Sequence, residues 1–356
     1  MRLLLTTLFA APLLLTAAPV RAFDGWHQEA ATTVEGKGSA WDYISLDATA
    51  GHLFIGHRKE GLQVFDIRAA KLLAAIEGTP KASSNGATLI PEFDLGVSNN
   101  ENGTLIPFAL STLAVRAAIP LGDELDTSHY DAVNKRLVVN MAPGADGTEL
   151  AILEVPTLIV AGKLKLASKK LEGADSDGRG GFWLAARDMN RVFKIDTKTM
   201  KLVADYPTPG CAQTNGLTID TAHARIFLGC RGSDTVKPSF AVMNADTGKI
   251  IFTSEIGGGN DSVIYDAELR RIFLANGVGA VINVFEQTDA DTYKPVETLG
   301  TRAGIRTMAM DPKTKKIYAV WGEGSADASR KINSAVSPFY ANSFFNNAFT
   351  ILTYGR

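Results

Sequence analysis

Residues 41–78 read WDYISLDATAGHLFIGHRKEGLQVFDIRAAKLLAAIEG, and the fold follows from how this stretch divides. An apolar segment ends at Asp47 and a turn passes through Gly51. Three short strand-like runs follow: HLFIGH from His52, LQVFDI from Leu62 and KLLAAIEG from Lys71. Runs of this length, rich in β-branched and aromatic residues and separated by turn formers, predict antiparallel strands.

Outward from that unit the pattern recurs every 41 to 46 residues. The first-strand copies are WDYISLD from Trp41, NGATLIP from Asn85, DTSHYD from Asp126, EGADSD from Glu172, NGLTID from Asn215, DSVIYD from Asp261 and RTMAMD from Arg306. Second strands follow as LGVSNN, RLVVNM, GFWLAA, RIFLGC, RIFLAN and KIYAVW, and third strands as LIPFAL, LAILEV, RVFKID, SFAVMN, VINVFE and FTILTY. Six copies go on to a fourth strand, such as AVRAAIPLG from Ala114, while the seventh stops at Arg356. HQEAATTVEG from His27 has the length and polarity of the missing element. The pattern predicts an all-β chain: a seven-bladed β-propeller of four-stranded antiparallel blades, the last closed by the N-terminal strand. Residues 23–356 are then one domain, interrupted by an irregular insert at 322–347 that carries Phe339, Tyr340, Phe344 and Phe345.

Of the 356 residues 46% are hydrophobic, which excludes disorder; 36 basic against 38 acidic residues give a charge of −2 and no footprint for a dedicated nucleic-acid binder. The 33 glycines and 14 prolines agree with many turns. MRLLLTTLFAAPLLLTAAPVRA, with Arg2, an apolar run from Leu3 to Leu15 and Val20-Arg21-Ala22, reads as a signal peptide over 1–22, cut after Ala22. Export to the periplasm is expected, with no membrane span after cleavage. That compartment favours a disulfide between Cys211 and Cys230, the chain's two cysteines.

The residue five places before each first-strand terminus is Asp42, Asn85, Asp126, Glu172, Asn215, Asp261 and Arg306. Innermost strands line a propeller's channel, so these seven polar residues are expected to form a ring there. Their carboxylates and amides are hard oxygen ligands, and Asp42, Glu172, Asn215 and Asp261 are candidates to hold Ca²⁺ or Mg²⁺. Such an ion would open metal-assisted lactone or ester hydrolysis, by analogy with six-bladed lactonases and with Asp126 in the same ring. The ordinary alternative is a polar, water-filled wall in which Arg306 neutralises the acids. Of the histidines His27, His52, His57, His129 and His223, only His129 falls on an inner strand near a ring acid. G-x-S-x-G and C-x-x-C-H motifs are absent, and nothing in the pattern favours a quinone cofactor. Lysines at 163, 165, 169 and 170 and at 313, 315 and 316 make a minor case for single-stranded DNA binding.

These residues resemble the YVTN-repeat, YncE-like seven-bladed propellers exported by Gram-negative bacteria, over roughly Trp41 to Arg356. The carriers are Trp41-Asp42-Tyr43 with Asp47, Asn215-Gly216-Leu217 between the cysteines, Arg306-Thr307-Met308-Ala309 with Asp311-Pro312-Lys313-Thr314, and Phe349-Thr350 through Gly355-Arg356. The tetrapeptide itself survives as variants such as Phe273-Leu274-Ala275-Asn276. The resemblance implies fold and export, and binding or scaffolding over catalysis. A monomer that binds a small molecule or a periplasmic protein at the ring is expected, without nucleic acid as partner.

Overall fold

The computed structural model describes residues 23–330 and 341–356; the expected signal peptide, with Phe339 and Tyr340, lies outside the described residues. Seven four-stranded antiparallel sheets stand around a central channel, six of them taking their strands in sequence order from the axis outward. The inner strands are Ile44–Asp47, Ser84–Ile90, Leu125–Asp131, Leu171–Ser176, Thr214–Asp220, Asn260–Asp266 and Met308–Met310. In the seventh blade the N-terminal strand His27–Val34 takes the outermost place, pairing antiparallel with Ser343–Gly355. Thr32 faces Ile351, the Thr33 and Thr350 hydroxyls meet at 3.0 Å, and Lys316 pairs with Glu29 at 2.7 Å. The expected ring closure is therefore present.

Each blade is sandwiched between two others, so both faces of its middle strands are buried. Strand Arg225–Cys230 is buried throughout. Ile226 and Leu228 pack toward Trp183 and Val192 of the fourth blade, whereas Phe227 packs toward Ile272 and Leu274 of the sixth. Strict alternation of faces with apolar residues on both explains why the second strands read as continuous hydrophobic runs. Seven hydrophobic clusters result, one for each blade-to-blade interface. Outer strands meet solvent on one side, and Lys249–Glu255 alternates between exposed and half-buried residues.

The acid that ends most inner strands shapes a turn. Asp47 Oδ1 accepts the Thr49 and Ala50 amides at 2.9 and 3.0 Å, and Asp220 and Asp311 accept the Ala222 and Lys313 amides at 3.1 and 2.8 Å. A side-chain acceptor two or three residues before a tight turn satisfies amides that the ladder leaves unpaired, which is why the repeat carries Asp there.

Two expectations need correction. AVRAAIPLG forms only the two-residue strand Ile119–Pro120, because Pro107 and Pro120 lie in the facing strands and neither can donate to a ladder. The segment 322–347 is not irregular throughout: strand Ile317–Ser325 and strand Ser343–Gly355 run into it, with Gly324 opposite Phe344. Phe344 packs edge-on against Trp41 at 5.3 Å, while Phe345 is exposed. Cys211 and Cys230 are joined in a disulfide with a Cα separation of 5.3 Å.

Candidate functional site at the channel mouth

The polar column of the repeat sits where the inner ladder slips. Pairing between the first and second strands skips from Ser84 to Gly86, Leu125 to Ser128, Leu171 to Ala174, Thr214 to Gly216 and Asn260 to Ser262. The residues passed over include Asn85, Asp126, Glu172, Asn215 and Asp261. A β-bulge re-aims a side chain and ends pairing, so the irregularity itself turns this column out of the sheet.

Asp42, Asp126, Glu172, Asp261 and Arg306 line a cavity of about 1070 Å³ at the end of the channel where the inner strands begin. Asn85 and Asn215 do not reach its wall. Each is fully buried and latches neighbouring blades: Asn85 Nδ2 donates to the Leu125 carbonyl at 2.7 Å, and Asn215 Nδ2 to Asp261 Oδ1 at 2.6 Å.

Four cations in the wall were not anticipated. Arg187 and Arg231 each directly follow a second strand, Arg58 lies two residues beyond the end of one, and Lys170 lies two residues before Glu172. One backbone bond repeats here, from the residue that follows the second-strand run of the repeat to the residue two before the polar column: Ala142 to Glu124, Arg187 to Lys170, Arg231 to Gln213 and Gly277 to Gly259. This bond puts the two columns side by side on the rim. Reading the position after each second-strand run of the repeat as a column (Arg58, Glu101, Ala142, Arg187, Arg231, Gly277, Gly322) would have found three of the four cations, Lys170 being outside it.

The result is a network of pairs. Arg58 binds Asp42 at 2.7 Å and Glu101 at 2.6 Å, and also reaches Asn85. Lys170 lies 2.7 Å from Asp126 and 3.5 Å from Glu172, which Arg187 holds at 3.0 Å. Asp261 is bonded by Arg231 and, at 2.6 Å, by Arg306, which reaches Asp42 at 3.4 Å. Burial pushes the Asp42 and Glu172 carboxyls up, and their cations only partly offset it. Burial acts on Asp261 too, but Arg231 and Arg306 outweigh it and hold this carboxyl below its usual range. Lys170 is also held charged: burial would lower its pKa, but Glu172 and Asp126 raise it above the ordinary value.

A floor closes the cavity. The Tyr43 hydroxyl, from the first blade, donates to Glu172 Oε2 of the fourth at 3.3 Å, and Tyr43 borders both the mouth cavity and a second space beneath. Burial and the nearby Glu172 raise the phenol's pKa, so it remains a donor. Trp41, Trp321 and Phe344 form an aromatic side wall, with Trp321 Nε1 fixed to the Ala303 carbonyl at 3.1 Å. The site is a cup with a charge-paired floor and one apolar side.

Of the candidate metal ligands, Asp42, Glu172 and Asp261 have Arg or Lys as partners and Asn215 lies behind the wall. Among the described residues no group of three or more His, Cys, Asp or Glu side chains comes together as a metal site. The geometry supports the charge-paired alternative and supplies no argument for Ca²⁺ or Mg²⁺ at the ring. His129 is outside the cup, in the space below Tyr43. In the lysine clusters, Lys163 pairs with Glu149 at 2.7 Å, Lys165 with Asp146 at 3.4 Å, and Lys315 with Asp266 at 2.8 Å. These pairs reduce the cationic surface available to a phosphate backbone. No described helix is long and apolar enough to cross a membrane.

No protein-family model matches the chain, and no curated protein matches it. Solved structures do. A chain in the crystal structure of a mitotic checkpoint complex superposes with a TM-score of 0.68 at 12% identity, over 90% of this chain and 95% of that one. The RRP9 WD40 repeats give 0.70 at 7% identity, over 90% and 96%. A chain of the hydrazine synthase of Kuenenia stuttgartiensis gives 0.67 at 11% identity, over 80% and 94%. At such identities the likeness extends to the propeller fold alone.

Proposed function

We propose that this chain is a periplasmic, non-enzymatic binding propeller of YncE-like kind, and that the mouth cup is where it binds. In this reading residues 1–22 are removed on export and 23–356 act as one monomeric domain. The cup carries the proposal: about 1070 Å³ is just above the ~300–1,000 Å³ range of small-molecule sites, and its floor is closed by Tyr43 and Glu172. A polar ligand meets fixed donors and acceptors on the floor and an apolar surface at Trp321 and Phe344. Binding is favoured over hydrolysis because Asp42, Asp126, Glu172 and Asp261 are engaged by cations. The described wall also has no histidine to activate a nucleophile.

The reading is tested in two steps. Mass spectrometry of protein recovered from the periplasm should give an N-terminus at Phe23; retention of the full chain in the cytoplasm contradicts export. Mature protein is then screened against polar metabolites and short peptides by native mass spectrometry. Arg187→Gln and Trp321→Ala should each weaken a retained ligand at least about tenfold, the loss expected for one well-placed polar or aromatic contact. A ligand held equally by both variants binds elsewhere.

A further inference from the structure

The sign of charge that the cup shows to a ligand depends on which members of its ion pairs face the cavity. Arg58, Lys170, Arg187, Arg231 and Arg306 border it together with five carboxylates, so the formal charges balance. Their exposure does not. In every ion pair between two wall residues the cation is the more exposed partner. The Lys170 side chain keeps 42% of its surface and Arg58 24%, whereas Glu172 and Asp261 keep 4% and 6%.

The hydrogen bonds point the same way. Glu172 Oε1 is taken by Lys170 and Arg187, and Oε2 by the Tyr43 hydroxyl. Asp261 Oδ1 is taken by Arg231 and Asn215, and Oδ2 by Arg306; Asp42 has Arg58 on one oxygen and Arg306 on the other. Asp188 is exposed at the rim, but its oxygens accept the Ser168 hydroxyl at 2.5 Å and the Lys169 amide at 2.9 Å. Asp126 bonds Lys170 through Oδ2, which leaves its Oδ1 as the one carboxylate oxygen of the wall without a described partner. The cations, in contrast, retain donors. Arg187 spends three N–H groups on Glu172 and Gln213, and Arg58 three on Asp42, Asn85 and Glu101, of the five that each guanidinium carries. Buried acids thus fix the cations in place and leave outward donors pre-organised for an oxyanion. On the aromatic side Trp321 and Phe344 are half-buried, and the Arg302 guanidinium, in no described ion pair, stacks on Trp321 at 4.7 Å.

We propose that the cup takes a small organic anion: a carboxylate or phosphate group bound by Lys170 and Arg187, which converge on Glu172 Oε1, on a flat apolar body that packs against Trp321 and Phe344. This rests on the reading that the cup is the binding site, and adds the sign of the ligand's charge. An ammonium ligand would find only Asp126 Oδ1 open, beside the like charge of Lys170.

The test is calorimetric titration of the mature protein with phenylacetate, phenyl phosphate, phenylacetamide and phenethylamine, which set two anions against a neutral and a cationic analogue. At least one anion should bind about tenfold or more tighter than phenylacetamide, and the order of the two anions separates a carboxylate site from a phosphate site. Added NaCl should weaken the anion and leave the amide unchanged, a readout that needs no variant. Lys170→Gln should reduce the anion-to-amide ratio about tenfold, whereas Trp321→Ala should weaken both probes alike and so place them in the cup. Phenylacetamide or phenethylamine binding as tightly as the anions, and still weakened by Trp321→Ala, would overturn the anion class and leave the cup as a binding site. An anion that neither variant weakens binds elsewhere, which would overturn the proposal, as would no binding of either anion; the retained-ligand screen then judges the cup separately.

Discussion

A second cavity of about 440 Å³, a chamber below Tyr43 bordered by Asp175, is made from the same inner strands as the cup above it, yet the two handle buried charge in opposite ways. In the cup each ring carboxylate meets a guanidinium or ammonium: Asp261 has Arg231 and Arg306, Asp42 has Arg58, and Glu172 has Arg187 and Lys170. In the chamber Asp175 has only three neutral donors. Asp175 lies three residues after Glu172 on one strand, so the difference comes from neighbours. The rim receives the basic residues that follow second strands, whereas the middle of the channel faces the middles of other inner strands, where the repeat supplies small and hydroxyl side chains.

The largest effect is expected from breaking a pair at the cup. Arg231→Met leaves Asp261, whose side chain is 6% exposed, with one cation fewer, and should cost about 3–5 kcal/mol in urea unfolding. The double change Arg231→Met with Asp261→Leu should recover most of that. A single-variant cost below about 1 kcal/mol would mean that the cup's pairs are not the desolvated network described.

Next comes the pH response of the chamber. Asp175 sits at about 6 in the folded chain against ~3.9 unfolded, so the folded state takes up this proton first, and the group's contribution to stability rises as pH falls from 6 toward 4. His129 sits at about 4 against ~6.5 unfolded, so its contribution is lost over the same fall. The two oppose each other in the wild type. Relative to it, Asp175→Asn should lose, and His129→Gln should gain, about 2–3 kcal/mol between pH 7 and 4. The other titratable groups of the chamber, Tyr43 and Tyr130, have raised pKa values and stay neutral throughout. Parallel curves for the two variants would show that the chamber is not desolvated.

The smallest effect marks the contrast with the surface. Lys237 and Glu255 pair at 2.8 Å with both side chains largely exposed, and Lys237→Ala should change stability by less than about 1 kcal/mol. A cost rivalling that of Arg231→Met would remove the distinction between inner and outer charges.

Much of this was legible in the repeat. Seven recurrences of strand, turn and strand implied the ring, and the polarity of His27–Val34 implied its closure. The column from Asp42 to Arg306 named five of the residues in the cup wall. Arg58, Arg187 and Arg231 were not found because only the first strand was aligned for function, although a second column directly after the second-strand runs carried the signal. That Asn85 and Asn215 would turn into blade interfaces depends on packing at glycines. A Cβ at Gly216 would lie 2.6 Å from Asn260 Oδ1, so the chain passes there with no room for a side chain, and nothing in the spacing of polar residues reports that.

The most direct test of binding at the cup is hydrogen–deuterium exchange on the mature protein with and without its retained ligand. Protection should concentrate in the rim segments around Trp41–Tyr43, Arg187–Asn190, Ala303–Arg306 and Trp321–Ala326. Protection confined to the Asp47, Asp220 and Asp311 turns at the opposite end of the ring would contradict it.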